Sequence, residues 1–86
     1  MIYELVVTRK AKEEIADGYI YYVTVKTGLG EKFLEQLDTY FNKIATTHQQ
    51  FPQKRKQYRE AFIKNFPFLI IFEIRNNSII VYSVFN

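Results

Sequence analysis

Apolar positions along this 86-residue chain change their spacing partway, from helical to alternating. Ile2 to Val7 is short, β-branched and mostly apolar, and predicts a strand. Thr8 follows as a helix N-cap, because its hydroxyl can accept from amides that the first turn leaves free. From Arg9 to about Lys26, Ala11, Ile15, Tyr19, Tyr22 and Val23 recur at helical spacing, with Lys12, Glu13 and Asp17 between them. Gly28 and Gly30 bracket Leu29 and break the pattern; glycine accepts the positive φ that a tight connection can need. A second helix is predicted from Gly30-Glu31 to about Thr46-Thr47-His48. Its wide apolar stripe is Phe33, Leu34, Leu37, Tyr40, Phe41 and Ile44. Glu31 stands in the first turn, where the helix dipole favours an acid.

His48 to Gln57 reads as a polar loop containing Phe51-Pro52. Tyr58 to Lys64 then alternates as a strand, Asn65 begins a turn, and Pro67 stands at the start of the next strand, where its missing N–H does no harm. Phe68 to Ile74 is almost continuously apolar, which predicts a strand covered on both faces. Arg75-Asn76-Asn77-Ser78 is a turn, since Asn tolerates left-handed φ, and Ile79 to Phe85 is the last strand, forming a hairpin with the one before. The predicted fold is α+β: a strand, a helical hairpin, then a three-stranded antiparallel sheet, in the order β-α-α-β-β-β. The helix pair packs across the sheet because neither layer can bury its apolar side alone. The length predicts one domain, residues 1–86, without repeats or linkers.

Composition explains how so short a chain holds a core. The hydrophobic fraction is 48%, with 7 Tyr and 8 Phe, and each aromatic buries about 150–250 Å². With no cysteine, disulfides, thiolate metal sites and cysteine nucleophiles are excluded. The N-terminus places its apolar run before Arg9-Lys10, the reverse of a signal peptide. The longest apolar run, Phe66 to Phe72, is far short of the roughly 20 residues that span a bilayer. A soluble, cytoplasmic protein is expected. A net charge of +3 leans towards an acidic partner, nucleic acid or protein, without choosing between them.

Candidate chemistry is sparse. Lys54-Arg55-Lys56, with Arg59 and Lys64 nearby, is the densest basic cluster. It reads either as a contact for phosphate or an acidic segment, or as a solvated loop beside an edge strand that lysines protect. His48 is the only histidine: an acid or base near neutrality, or a charged group favoured by a helix C-terminus. Tyr19, Tyr21, Tyr22, Tyr40, Tyr58 and Tyr82 can stack on bases or serve as core and rim residues. Glu13 and Glu14 are adjacent, so they point in different directions around a helix and form no carboxylate pair. No metal-ligand spacing or phosphate-cradling glycine loop stands out, and no cofactor is expected.

Several local features resemble the ParE/RelE toxins. These are the aromatic-rich first helix with Ala11, Ile15 and Tyr21-Tyr22, the turn Gly28-Leu29-Gly30-Glu31-Lys32-Phe33, and Phe51-Pro52 followed by Tyr58-Arg59. Phe66-Pro67-Phe68-Leu69-Ile70-Ile71-Phe72 is similar to the ParE-type Phe-Pro-Tyr start of a strand. The resemblance covers almost the whole chain. It implies the toxin of a bacterial type II toxin–antitoxin (plasmid stabilisation) system, causing growth arrest until a co-expressed antitoxin wraps the helix pair and sheet. ParE-type toxins poison DNA gyrase by protein–protein contact; the RelE branch cuts mRNA on the ribosome. A third alternative is a non-toxic, antitoxin-binding member. RelE-type nucleases carry an Arg where this chain has Phe66-Pro67-Phe68, and a His or Tyr with basic residues after the last strand, where this chain stops at Phe85-Asn86. The groups that RNA cleavage needs are thus not found, and the chain is expected either to be truncated or to lack that chemistry. For a target or antitoxin, the expected contacts are Lys54, Arg55, Lys56, Arg59, Lys64, Tyr82 and Asn86.

Overall fold

The computed structural model describes residues 3–86; Ile2, the first residue of the predicted opening strand, lies outside them. The elements are β1 (Glu4–Val7), α1 (Arg9–Val25), α2 (Leu29–Thr47), a 3₁₀ turn (His48–Gln50), β2 (Gln53–Arg55), β3 (Tyr58–Phe62), β4 (Leu69–Arg75) and β5 (Ser78–Phe85). Thr8 caps α1 as predicted, its hydroxyl accepting from the Ala11 amide at 3.2 Å. The same hydroxyl donates to the Tyr82 carbonyl, fixing the helix start against β5.

Gly28, which caps α2, and Gly30, in its first turn, each have a physical reason. Gly28 has φ +84°, a backbone that L side chains rarely adopt. A Cβ on Gly30 would stand 2.6 Å from Val23 Cγ2, so the close helix crossing needs its absence.

The sheet has five strands in the order β1-β5-β4-β3-β2. The predicted antiparallel trio is present as β3, β4 and β5. It gains a neighbour on each side. On one, β1 runs parallel to β5, which the long helical connection permits. On the other, the predicted polar loop is corrected: it contains the 3₁₀ turn and the short strand β2, paired with β3. Lys56, with φ 52°, turns the chain there, and the Gln53 side-chain amide donates to its carbonyl. Asn76, with φ 55°, makes the tight β4–β5 turn as expected.

The helices lie on one face of the sheet. Phe33, Leu37 and Ile44 of α2 and Tyr22 of α1 pack against Ile70, Phe72, Ile79, Val81 and Val84. Tyr22, Phe33, Phe66 and Phe68 interlock, with Tyr22–Phe66 and Phe33–Phe68 centroids each 4.9 Å apart. Pro67 sets a tight bend whose Phe68 amide donates to the Phe66 carbonyl, bringing both rings inward.

The expectation that β4 is covered on both faces is corrected. Ile70 and Phe72 are fully buried, but Leu69 and Ile71 point to the side without helices and are only partly buried. Among the described residues, no element covers that side. No described helix is long and apolar enough to cross a membrane.

β1 pairs with only the first half of β5, Ser78 to Val81. Beyond it, side chains of α1 stand in for a strand. Glu14 Oε1 accepts from the Val84 amide at 2.9 Å and the Ser83 hydroxyl at 2.8 Å, while Lys10 Nζ reaches Glu14 Oε2 at 3.3 Å.

Candidate functional site

The sheet face without helices is a feature that the core does not explain. Register places Tyr58, Glu60 and Phe62 of β3 beside Glu73, Ile71 and Leu69 of β4, and Ile80 and Phe85 of β5 complete the surface. Tyr82 joins them through an irregularity in the β4–β5 pairing, and its ring meets Tyr58 edge-on at 5.7 Å. Phe62 is 64% exposed and Phe85 41%. Arg55 of β2 rims a depression of about 370 Å³ lined by Tyr58, Glu60, Leu69, Ile71 and Phe85.

Polar groups on this face satisfy one another. The Tyr82 hydroxyl donates to Glu73 Oε1 at 2.6 Å, and Arg75 Nε lies 3.8 Å from Glu73 Oε2. The hydrogen bond to Glu73, reinforced by burial, pushes the Tyr82 phenol above its ordinary pKa. The hydroxyl therefore stays protonated at neutral pH and works as a donor. Glu73 was not singled out from sequence; a lone carboxylate inside the apolar run Phe68–Ile74 was the available signal. With hydroxyl and carboxylate engaged, the face offers mainly rings and aliphatic groups to a partner.

The seven predicted contact residues do not converge. Arg55 and Tyr82 share the open face. Arg59 is opposite Phe72 in register and so points to the helix side. There its guanidinium donates to the Phe51 carbonyl at 2.9 Å, anchoring the chain before β2. Lys54 and Lys56 are exposed on the β2 hairpin at the sheet's far edge. Lys64 is exposed beyond β3, its amide donating to the Tyr40 hydroxyl at 3.2 Å. Asn86 follows β5 and lies beside α1.

His48 is buried, so the reading of a charged helix-end group is corrected. Burial first, and then the Arg59 charge, lowers its pKa, which favours the neutral ring. It packs against Tyr3 at 4.7 Å, and its Nδ1 finds no partner among the described residues. Tyr22 is core, and Tyr19 donates to Glu31. No described cluster of His, Cys, Asp and Glu could hold a metal.

Residues 5–86 match the family model described as the ParE toxin of the type II toxin–antitoxin system, parDE. Among solved structures, the chain is similar to one titled as the chromosomal ParDE TA system from P. aeruginosa. The TM-score is 0.79 at 20% identity, over 99% of this chain and 96% of that one. At this identity the likeness speaks for the fold. No curated protein matches the chain. Because the family model spans nearly the entire sequence, the chain belongs to the ParE toxin family, the toxin side of type II toxin–antitoxin systems.

Proposed function

We propose that this toxin acts by binding a protein target, DNA gyrase, through the open face of its sheet. The observation that carries the reading is the uncovered apolar surface formed by Phe62, Leu69, Ile71, Ile80, Tyr82 and Phe85. Exposed apolar patches of this kind mark binding sites on small proteins. Aromatic anchors in such a patch carry most of the energy of a protein contact. In this reading Tyr82 and Phe62 are anchors and Arg55 is a rim contact. Arg59 acts indirectly, by holding the Phe51 carbonyl and with it the start of β2. Lys54, Lys56 and Lys64 steer an acidic partner towards the sheet edge. The whole chain works as one domain in the cytoplasm, where a cognate antitoxin restrains it.

The test is inducible expression without antitoxin, with growth, DNA supercoiling and mRNA integrity followed together. Growth arrest with altered supercoiling or DNA breakage and intact mRNA is the expected result. Arrest with cleaved mRNA would move the assignment to the ribosome-dependent endonuclease branch. Normal growth would point to a non-toxic, antitoxin-binding protein.

A further inference from the structure

The sheet edge beside β2 is only partly closed. β2 pairs with Tyr58 and Arg59, so β3 from Glu60 to Phe62 has no strand on its outer side. The Glu60 amide faces that side and donates to the Pro52 carbonyl at 3.2 Å. The Lys64 amide, beyond β3, donates to the Tyr40 hydroxyl at 3.2 Å. Alternate residues of a paired strand turn their amides to the same side, so the Phe62 amide between these two also points outward. No described strand stands there to accept from it. The amides on either side are already bonded, which leaves no ladder for an added strand.

The groups around this window suit an anion. Tyr40 accepts from Lys64, and its own hydroxyl proton has no acceptor among the described residues. A depression of about 550 Å³ opens here, lined by Tyr40 and Lys43 of α2, Lys54 of β2 and Phe62 of β3. Lys43 Nζ stands 5.0 Å from the centre of the Tyr40 ring. Among the described residues, none of Lys43, Lys54 and Lys64 forms an ion pair. Glu60 also lines the depression, but the three lysines leave a surplus of positive charge. Phe62, 64% exposed, forms an apolar wall with Pro52 and Leu69. The space is of the size that holds a ring as well as a charged group.

We propose that this depression binds a nucleoside phosphate. A phosphate oxygen accepts from the Phe62 amide and the Tyr40 hydroxyl, Lys43 and Lys54 neutralise the charge, and the base lies on the Phe62 ring. A phosphate monoester carries a charge of about −1.5 to −2 and three acceptor oxygens, which matches several donors converging on one point. The carboxylate of an acidic peptide brings less charge and no ring for Phe62. A free nucleotide and the phosphorylated end of a nucleic-acid strand share the required chemistry. The proposal does not rest on the gyrase reading, so a toxin that leaves gyrase untouched would not affect it.

The experiment follows amide resonances of the isotope-labelled chain during titration with adenosine monophosphate, inorganic phosphate, adenosine and a glutamate-rich peptide. Saturable shifts centred on the Phe62 and Lys64 amides are expected with adenosine monophosphate, at a Kd of about 1 mM or below. Adenosine and phosphate should each bind about fivefold or more weakly. Lys43, Lys54 and Phe62 are exposed, so their variants should keep the fold and any loss belongs to binding. Lys43→Ala and Lys54→Ala should each weaken the nucleotide by about threefold or more, while Lys12→Ala, exposed on α1, stays within about twofold. Phe62→Ala should weaken the nucleotide by about fivefold and leave phosphate within about twofold, because only the ring contact is lost. A terminally phosphorylated oligonucleotide that binds more tightly than the nucleotide would assign the site to strand ends, and a weaker one to free nucleotides; both results support it. No saturable shift, shifts centred elsewhere, or a peptide that binds more tightly than the nucleotide would overturn the proposal.

Discussion

Along Leu69 to Phe72, strand β4 turns similar apolar residues to its two faces, and they meet opposite fates. Ile70 and Phe72 are sealed under α2, whereas Leu69 and Ile71, one residue away, stay partly open beside an exposed Phe62. Alternation in a strand assigns residues to faces but does not say which face a helix will cover. An apolar residue is therefore core on one side of this sheet and, in the function proposed above, a contact for a partner on the other.

Truncations should separate the two most sharply. Phe33→Ala, on the helix side, removes a fully buried ring from the aromatic cluster and should destabilise the fold by about 3–5 kcal/mol in denaturant unfolding. Phe62→Ala, on the open side, should change stability by no more than about 0.5 kcal/mol. If the two losses were equal, the open face would be core by another route.

A smaller loss is expected at the seam between the layers. Glu14→Ala removes the acceptor for the Val84 amide and the Ser83 hydroxyl. An unsatisfied backbone donor there should cost about 1–2 kcal/mol. Glu14→Gln keeps an oxygen in place and should cost less.

Tyr82→Phe tests whether the polar groups of the open face are held for stability. It deletes the bond to Glu73, and a loss of about 1 kcal/mol is expected. The Tyr58 contact should survive, because it involves the ring alone.

The pH dependence is subtler and has two parts. The pKa of His48 is lowered in the fold, so the unfolded chain takes up its proton first. Stability is complete above the unfolded value of about 6.5 and declines as pH falls through the folded value. Glu14 is also lowered, so its contribution is present above an unfolded value of about 4.3 and is lost as pH falls through its folded value. His48→Gln should remove the decline that begins near pH 6.5 in a melting series and leave the acid limb of Glu14.

The same comparison explains what was legible in the sequence. Local signals were sufficient where a residue's own chemistry decides its geometry: Thr8 as a cap, Gly28 with positive φ, Asn76 in a left-handed turn. They were insufficient where distant segments decide. β1 joins β5 across most of the chain, and Gln53–Arg55 is polar and gains strand character only by pairing with β3. The candidate site was less legible still. Arg59 and Tyr82 were grouped by charge and position, yet alternation sends Arg59 to the helix side. Tyr82 reaches the open face through a pairing irregularity that no residue type announces. Burial of His48 likewise depends on its packing against Tyr3, far from it in sequence.

The central claim is that the open face is the toxin's working surface. Supercoiling of a relaxed plasmid by purified gyrase, titrated with the wild-type chain and with Phe62→Glu, tests it most directly. The account predicts inhibition by the wild-type chain and its loss in Phe62→Glu at unchanged melting temperature. Equal inhibition by both would contradict the assignment of this face, and no inhibition by either would contradict gyrase as the target.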